Sequence, residues 1–121
     1  MQHILVVEDD PAIRELVSET LRDQDFSVEC AKTDLDAYKR IPGLPTIEGL
    51  VLDINLGRGT TGYDIARFAR QVIPDVAVVY VSGEMPPASF NAFGVPHSTF
   101  LEKPFTPDEL LRAVNRLMAP H

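Results

Sequence analysis

Ile4-Leu5-Val6-Val7 runs directly into Glu8-Asp9-Asp10, Gly49-Leu50-Val51-Leu52 into Asp53, and Val76-Ala77-Val78-Val79-Tyr80-Val81 into Ser82. A further run, Phe100-Leu101-Glu102, stops at Lys103-Pro104. Apolar runs this short, with little polar alternation, read as strands buried on both faces, as in a parallel sheet. In such sheets ligands gather beyond the carboxyl ends of the strands. One edge of the sheet would then carry the carboxylates of Glu8, Asp9 and Asp53, the Ser82 hydroxyl and the Lys103 ammonium. That set suits a hard metal ion and a phosphoryl group.

Outward from these runs, the intervening segments carry helical periodicity. Asp10-Pro11 reads as an N-cap followed by proline at the first helical position. Ile13, Leu16, Val17, Thr20 and Leu21 then recur at helical spacing, to an end near Asp23. Ser27 to Ala31 is a short strand. Asp34 is expected to cap a second helix carrying Leu35, Tyr38 and Ile41, which ends at Pro42-Gly43-Leu44-Pro45. A Gly-rich loop, Leu56 to Gly62, leads to a third helix with Ile65, Ala66, Phe68, Ala69 and Val72, stopped before Pro74. In the last helix Thr106 and Glu109 form a capping box around Pro107, and Leu110, Leu111, Val114 and Leu117 make the apolar stripe. Between Gly83 and Thr99, Pro86 and Pro87 can only start a helix, and Gly94 and Pro96 end it. That leaves about Ala88 to Phe93, under two turns. The β-α alternation implies a doubly wound α/β fold with a parallel sheet and helices on both faces.

A chain of 121 residues holds one domain with a real core, and 45% hydrophobic content is ordinary for a globular protein. No apolar stretch approaches a membrane span, and the N-terminus lacks a signal-peptide layout, so a cytoplasmic location is expected. Net charge is −7 and the eleven Lys and Arg residues are scattered, which argues against nucleic acid and anionic membranes as partners. Cys30, the single cysteine, permits no internal disulfide and reads as a small buried thiol on a strand. His3, His97 and His121 read as ordinary histidines rather than phosphodonors.

Carboxylates gathered at one sheet edge repel unless a cation sits among them, and Mg²⁺ takes oxygen ligands of this kind. A carboxylate can also attack phosphorus to give an acyl phosphate, whose charged oxygens call for a metal, a hydroxyl and a fixed cation. Mg²⁺, Ser82 and Lys103 would supply these. The Lys103-Pro104 bond, if cis, could aim the ammonium inward. Asp10 is assigned to helix capping instead.

These motifs carry a family resemblance over essentially the whole chain. Val-Val-Glu-Asp-Asp-Pro at 6–11, Leu-Val-Leu-Asp-Ile-Asn-Leu at 50–56, Val-Ser-Gly at 81–83 and Phe-Leu-Glu-Lys-Pro-Phe at 100–105 resemble the receiver domains of two-component response regulators. The resemblance implies a chemotaxis-Y-like, flavodoxin-like (βα)5 fold with strand order 2-1-3-4-5. It implies a single receiver domain over residues 1–121 without an output domain, and a stand-alone protein is expected. It further implies that Asp53 accepts a phosphoryl group from a sensor histidine kinase or a histidine phosphotransfer protein. Asp9 would be a direct Mg²⁺ ligand, Glu8 would act through water, and Asn55 would offer its backbone carbonyl. Ser82 would be the switch hydroxyl, Phe100 the switch aromatic and Lys103 the cation. Asn55 and Glu84 would flank the acyl phosphate and set its lifetime. The output would be control of a downstream protein, from a monomer or weak dimer.

The sequence departs from the family's common pattern at Gly57, where many receivers have proline, and in a loop to Gly62 one residue longer than usual. Val95-Pro96-His97 replaces the usual Gly-Ala near the end of the fourth helix, so the output surface is expected to differ. Two other readings use the same residues. Dehalogenase-type phosphohydrolases share the Asp, Mg²⁺, hydroxyl and Lys chemistry, but have a second Asp where this chain has Asn55. A pure interaction module would never use phosphate at all.

Overall fold

The computed structural model describes residues 2–44, 46–56, 61–83 and 88–118. Along the chain lie β1 (His3–Val7), α1 (Pro11–Asp23), β2 (Ser27–Ala31), α2 (Asp34–Arg40), a 3₁₀ turn (Ile41–Gly43) and β3 (Gly49–Asp53). Then follow α3 (Gly62–Val72), β4 (Ala77–Ser82), α4 (Ala88–Phe93), β5 (Ser98–Glu102) and α5 (Pro107–Met118). The strands form one parallel sheet in the order β2-β1-β3-β4-β5. Every residue of β3 and β4 is buried, whereas the edge strands β2 and β5 are only partly so. Burial on both faces accounts for the unbroken apolar runs.

Successive side chains of each strand enter opposite layers. Leu5, Val7, Leu50, Leu52, Val78 and Tyr80 pack with Ala37 of α2 and Ile65, Ala66 and Ala69 of α3. Ile4, Val6, Val51, Val79 and Val81 pack with Val17 and Leu21 of α1 and Leu110 and Val114 of α5. Sandwiched in this way, the sheet exposes only its ends for chemistry. No helix among the described residues is long and apolar enough to cross a membrane.

Local signals placed most helix ends. The Asp10 carboxylate accepts from Ala12 and Ile13 N–H at 2.9 and 3.4 Å, with Pro11 first in α1. Thr106 and Glu109 cap α5 reciprocally, at 3.0 and 3.2 Å. The second helix corrects the sequence reading. Its cap is Thr33, whose extended backbone (φ −139°, ψ 166°) lets its hydroxyl accept from Asp36 N–H, and Asp34 is the first helical residue. On this helix Leu35 is 65% exposed, Ala37 is buried and Tyr38 half-buried, and Ile41 just beyond it is buried. Val72 of α3 is 38% exposed. Cys30 lies half-buried on the edge strand, its sulfur 3.0 Å from the Ser18 hydroxyl.

The fourth helix has the short extent read from the sequence. Its C-terminal exit is tied down by Val95 N–H donating to the Tyr80 hydroxyl at 3.2 Å and by Arg70 donating to the His97 carbonyl at 3.0 Å. His97 itself adopts φ 56°. Gly57 and its loop, Glu84, Pro86, Pro87 and His121 lie outside the described residues.

Candidate functional site

Three strand ends converge. Glu8 and Asp9 follow β1, Asp53 closes β3 and Ser82 closes β4. Lys103 arrives from the turn after β5, with its N–H donating to the Ser82 carbonyl at 2.7 Å and a cis bond to Pro104. The Lys103 ammonium reaches Glu8 Oε1 at 2.8 Å and Asp53 Oδ2 at 2.9 Å. Both carboxylate side chains are almost wholly buried, at 5% and 8% exposure. Asp9 stays exposed, yet one oxygen from each of Glu8, Asp9 and Asp53 lies within 4.8 Å of the others.

Burial, opposed by the hydrogen bond from Lys103 and reinforced by the Asp53 charge and the Asp9 contact, raises the Glu8 carboxyl pKa to about 7. For Lys103, burial works against the charge, but the hydrogen bonds it donates to Glu8 and Asp53 outweigh it and hold the pKa above the ordinary lysine value. The cluster therefore keeps a cation fixed against two carboxylates that share too little solvent. An all-oxygen donor set of three clustered carboxylates fits a hard divalent cation such as Mg²⁺.

The remaining sequence-derived residues fall nearby. Asn55, exposed, donates its main-chain N–H to Asp53 Oδ1 at 2.9 Å, and its backbone forms an antiparallel bridge with Thr61. That bridge folds the chain back so that α3 begins against the backbone of Asp53. A Cβ on Gly62 would lie 2.5 Å from the Asp53 carbonyl oxygen, which explains glycine there. Ser82 is buried at the sheet edge. Phe100 is half-buried on β5, its ring 6.2 Å from that of Phe90, which in turn stands edge-on to Tyr80 at 5.8 Å.

Two features escaped the sequence reading. Thr61 and Asp64 form a capping box that starts α3 just past the loop after Asp53. The signal in the sequence is Thr-x-x-Asp at 61–64, at the end of the Gly-rich loop. Arg14 donates from its guanidinium to the Glu8 carbonyl at 3.0 Å. No local motif marks that contact. Beside the cluster, Ile13, Leu16, Lys103, Pro104 and Phe105 line an apolar notch of about 260 Å³.

The chain and its fold have counterparts among known proteins. The family profile of the response regulator receiver domain matches residues 4–115. The regulatory protein VirG of Rhizobium rhizogenes is 32% identical over 116 residues, covering 94% of this chain and 47% of that protein. A putative NtrX-like response regulator of Rickettsia conorii is 30% identical over 115 residues, covering 93% and 24%. This chain thus spans less than half the length of these curated relatives. Among solved structures, a response regulator receiver protein from Sinorhizobium medicae superposes with a TM-score of 0.89 at 33% identity, covering 96% of this chain and 93% of that one. The chemotaxis response regulator CheY4 of Vibrio cholerae gives 0.86 at 26% identity, covering 98% and 99%.

Proposed function

The chain belongs to the response regulator receiver domain family, and from that premise we propose that residues 1–121 form one receiver domain that is switched by phosphorylation of Asp53. The Asp53 carboxylate attacks the phosphorus of a phosphohistidine on a sensor kinase or phosphotransfer protein. The P–O bond forms as the P–N bond breaks, and the imidazole leaves with its electron pair and takes up a proton. Mg²⁺, held by Glu8, Asp9, Asp53 and the Asn55 carbonyl, would supply charge neutralisation for the phosphoryl oxygens.

Each protein group has a task in this reading. Lys103 trades a carboxylate oxygen for a phosphoryl oxygen, and its short reach to Asp53 is the observation that carries the proposal. Ser82 donates to the phosphoryl group, and Phe100 moves into the space that Ser82 vacates. The ring contact between Phe100 and Phe90 extends that change toward α4. Since Lys103 also lines the apolar notch beside α1, a phosphodonor seated there would bring its histidine to Asp53. Asn55 and Glu84 govern the approach of water to the acyl phosphate. Hydrolysis of that bond by the domain itself resets the switch, which then controls a downstream protein.

Labelling with acetyl phosphate tests this. The wild-type protein should label only with Mg²⁺ present, and Asp53→Asn should not label; equal labelling of the variant refutes the assignment. Continuous turnover of the phosphodonor with no stable label would favour a phosphohydrolase. A complex with beryllofluoride, whose fluorides stand in for phosphoryl oxygens, should show both Ser82 and Phe100 displaced relative to the free protein.

A further inference from the structure

One residue, Arg14, holds the chain on both flanks of Asp9, through its main chain on one side and its side chain on the other. The main-chain N–H of Arg14 donates to the Asp10 carbonyl at 2.9 Å, as the first turn of α1 requires. Its guanidinium Nη1 reaches back six residues to the Glu8 carbonyl at 3.0 Å. Glu8 lies just beyond β1, its N–H donating to the Ala31 carbonyl at 3.1 Å, and Ala31 is the last residue of β2. The Glu8 carbonyl meets a donor from α1. Asp9, exposed between these anchors, sits on a tether that Arg14 closes.

We propose that Arg14 is a positioning residue for the acidic pair: it fixes the backbone of Glu8 and Asp9 so that their carboxylates are already gathered when a divalent cation arrives. The inference rests on the reading that Glu8 and Asp9 bind such a cation. A guanidinium-to-carbonyl bond is charge-assisted and, from a planar donor, directional. Groups that orient metal ligands from behind are a recognised determinant of affinity. The sign of the effect separates this role from a purely electrostatic one. As a nearby positive charge, Arg14 opposes cation binding, and its removal would tighten binding. As a tether it promotes binding, and its removal weakens it.

The experiment compares Arg14→Met and Arg14→Lys with wild type in two measurements. The first is calorimetric titration of the metal-free protein with MgCl₂ at fixed pH and ionic strength. The second is amide ¹⁵N relaxation at Glu8, Asp9 and Asp10 without metal. Arg14→Met should bind Mg²⁺ about tenfold more weakly and show increased Asp9 backbone mobility. Arg14→Lys, which keeps a charged donor, should lie nearer wild type in both. Unchanged or tighter Mg²⁺ binding in Arg14→Met overturns the proposal, as does a lower melting temperature with Mg²⁺ affinity unmoved. If wild type binds no Mg²⁺, the metal reading itself fails. The relaxation data then decide the tether: unchanged order at Asp9 refutes it, and lost order supports it.

Discussion

Replacing Lys103 with methionine strips the ammonium from two buried carboxylates while keeping most of the side-chain volume. At 2.8 and 2.9 Å each contact is worth about 6 kcal/mol of Coulomb energy at an effective dielectric of ~20. Desolvation of the three charges offsets most of this. Removing one partner of a buried ion set costs about 3–5 kcal/mol, because the others stay buried without compensation. Glu8 has an outlet, since its carboxyl already titrates at about 7 in the folded protein, and Lys103 is the group that lowers it. In the variant that pKa rises further. A carboxyl whose folded pKa exceeds its unfolded value binds its proton more tightly in the native state. The stability it contributes is complete below the unfolded value and is lost as pH rises through the folded one. Lys103→Met should therefore lose about 3 kcal/mol or more at pH 8, a fall in melting temperature of about 10 °C or more. At pH 5, where Glu8 is neutral in both proteins, the loss should be smaller by at least about 1 kcal/mol. Urea unfolding in EDTA at the two pH values is the assay. Excess Mg²⁺ at pH 8 should restore part of the loss by binding the native state. A loss under about 1 kcal/mol at pH 8, or equal losses at both pH values, would show that the ion cluster is not held as its geometry implies.

Gly62→Ala would push a methyl group to 2.5 Å from the Asp53 carbonyl oxygen and 2.8 Å from Leu52 Cδ1; thermal unfolding should show a loss of about 1–3 kcal/mol, and acetyl phosphate labelling should slow. Replacing Asn55 and Glu84 with bulky apolar residues should lengthen the life of the acyl phosphate, read as decay of label after the phosphodonor is removed. An unchanged decay would take both residues out of that role. Hydrogen exchange across residues 83–99 should show weak protection in the free protein, because α4 is under two turns and isolated helices so short are marginal. Protection as strong as that of β3 and β4, with and without beryllofluoride, would instead identify a rigid fourth helix.

The sequence by itself determined the elements and their order. These follow from chemistry that acts over a few residues: Gly49 to Asp53 is apolar because both faces of β3 are buried, and Asp10 before Pro11 and Thr106 before Glu109 cap their helices through bonds within one turn. It also brought Glu8, Asp9, Asp53, Ser82 and Lys103 to one edge, since a parallel sheet puts the carboxyl ends of its strands together. Where two neighbouring residues could both do a job, local sequence alone does not decide between them, and the cap expected at Asp34 falls to Thr33. Thr33 and Asp34 are both good caps, and only the extended backbone at Thr33 decides. Glu8 and Asp9 are both acids, and only the packed strands bury Glu8 against Lys103 while leaving Asp9 exposed. The elevated Glu8 pKa, the contact of Arg14 with the Glu8 carbonyl and the Phe90–Phe100 ring pair belong to tertiary structure alone. Desolvation and through-space contact depend on how elements lie against one another, whereas periodicity and capping are written within a single element.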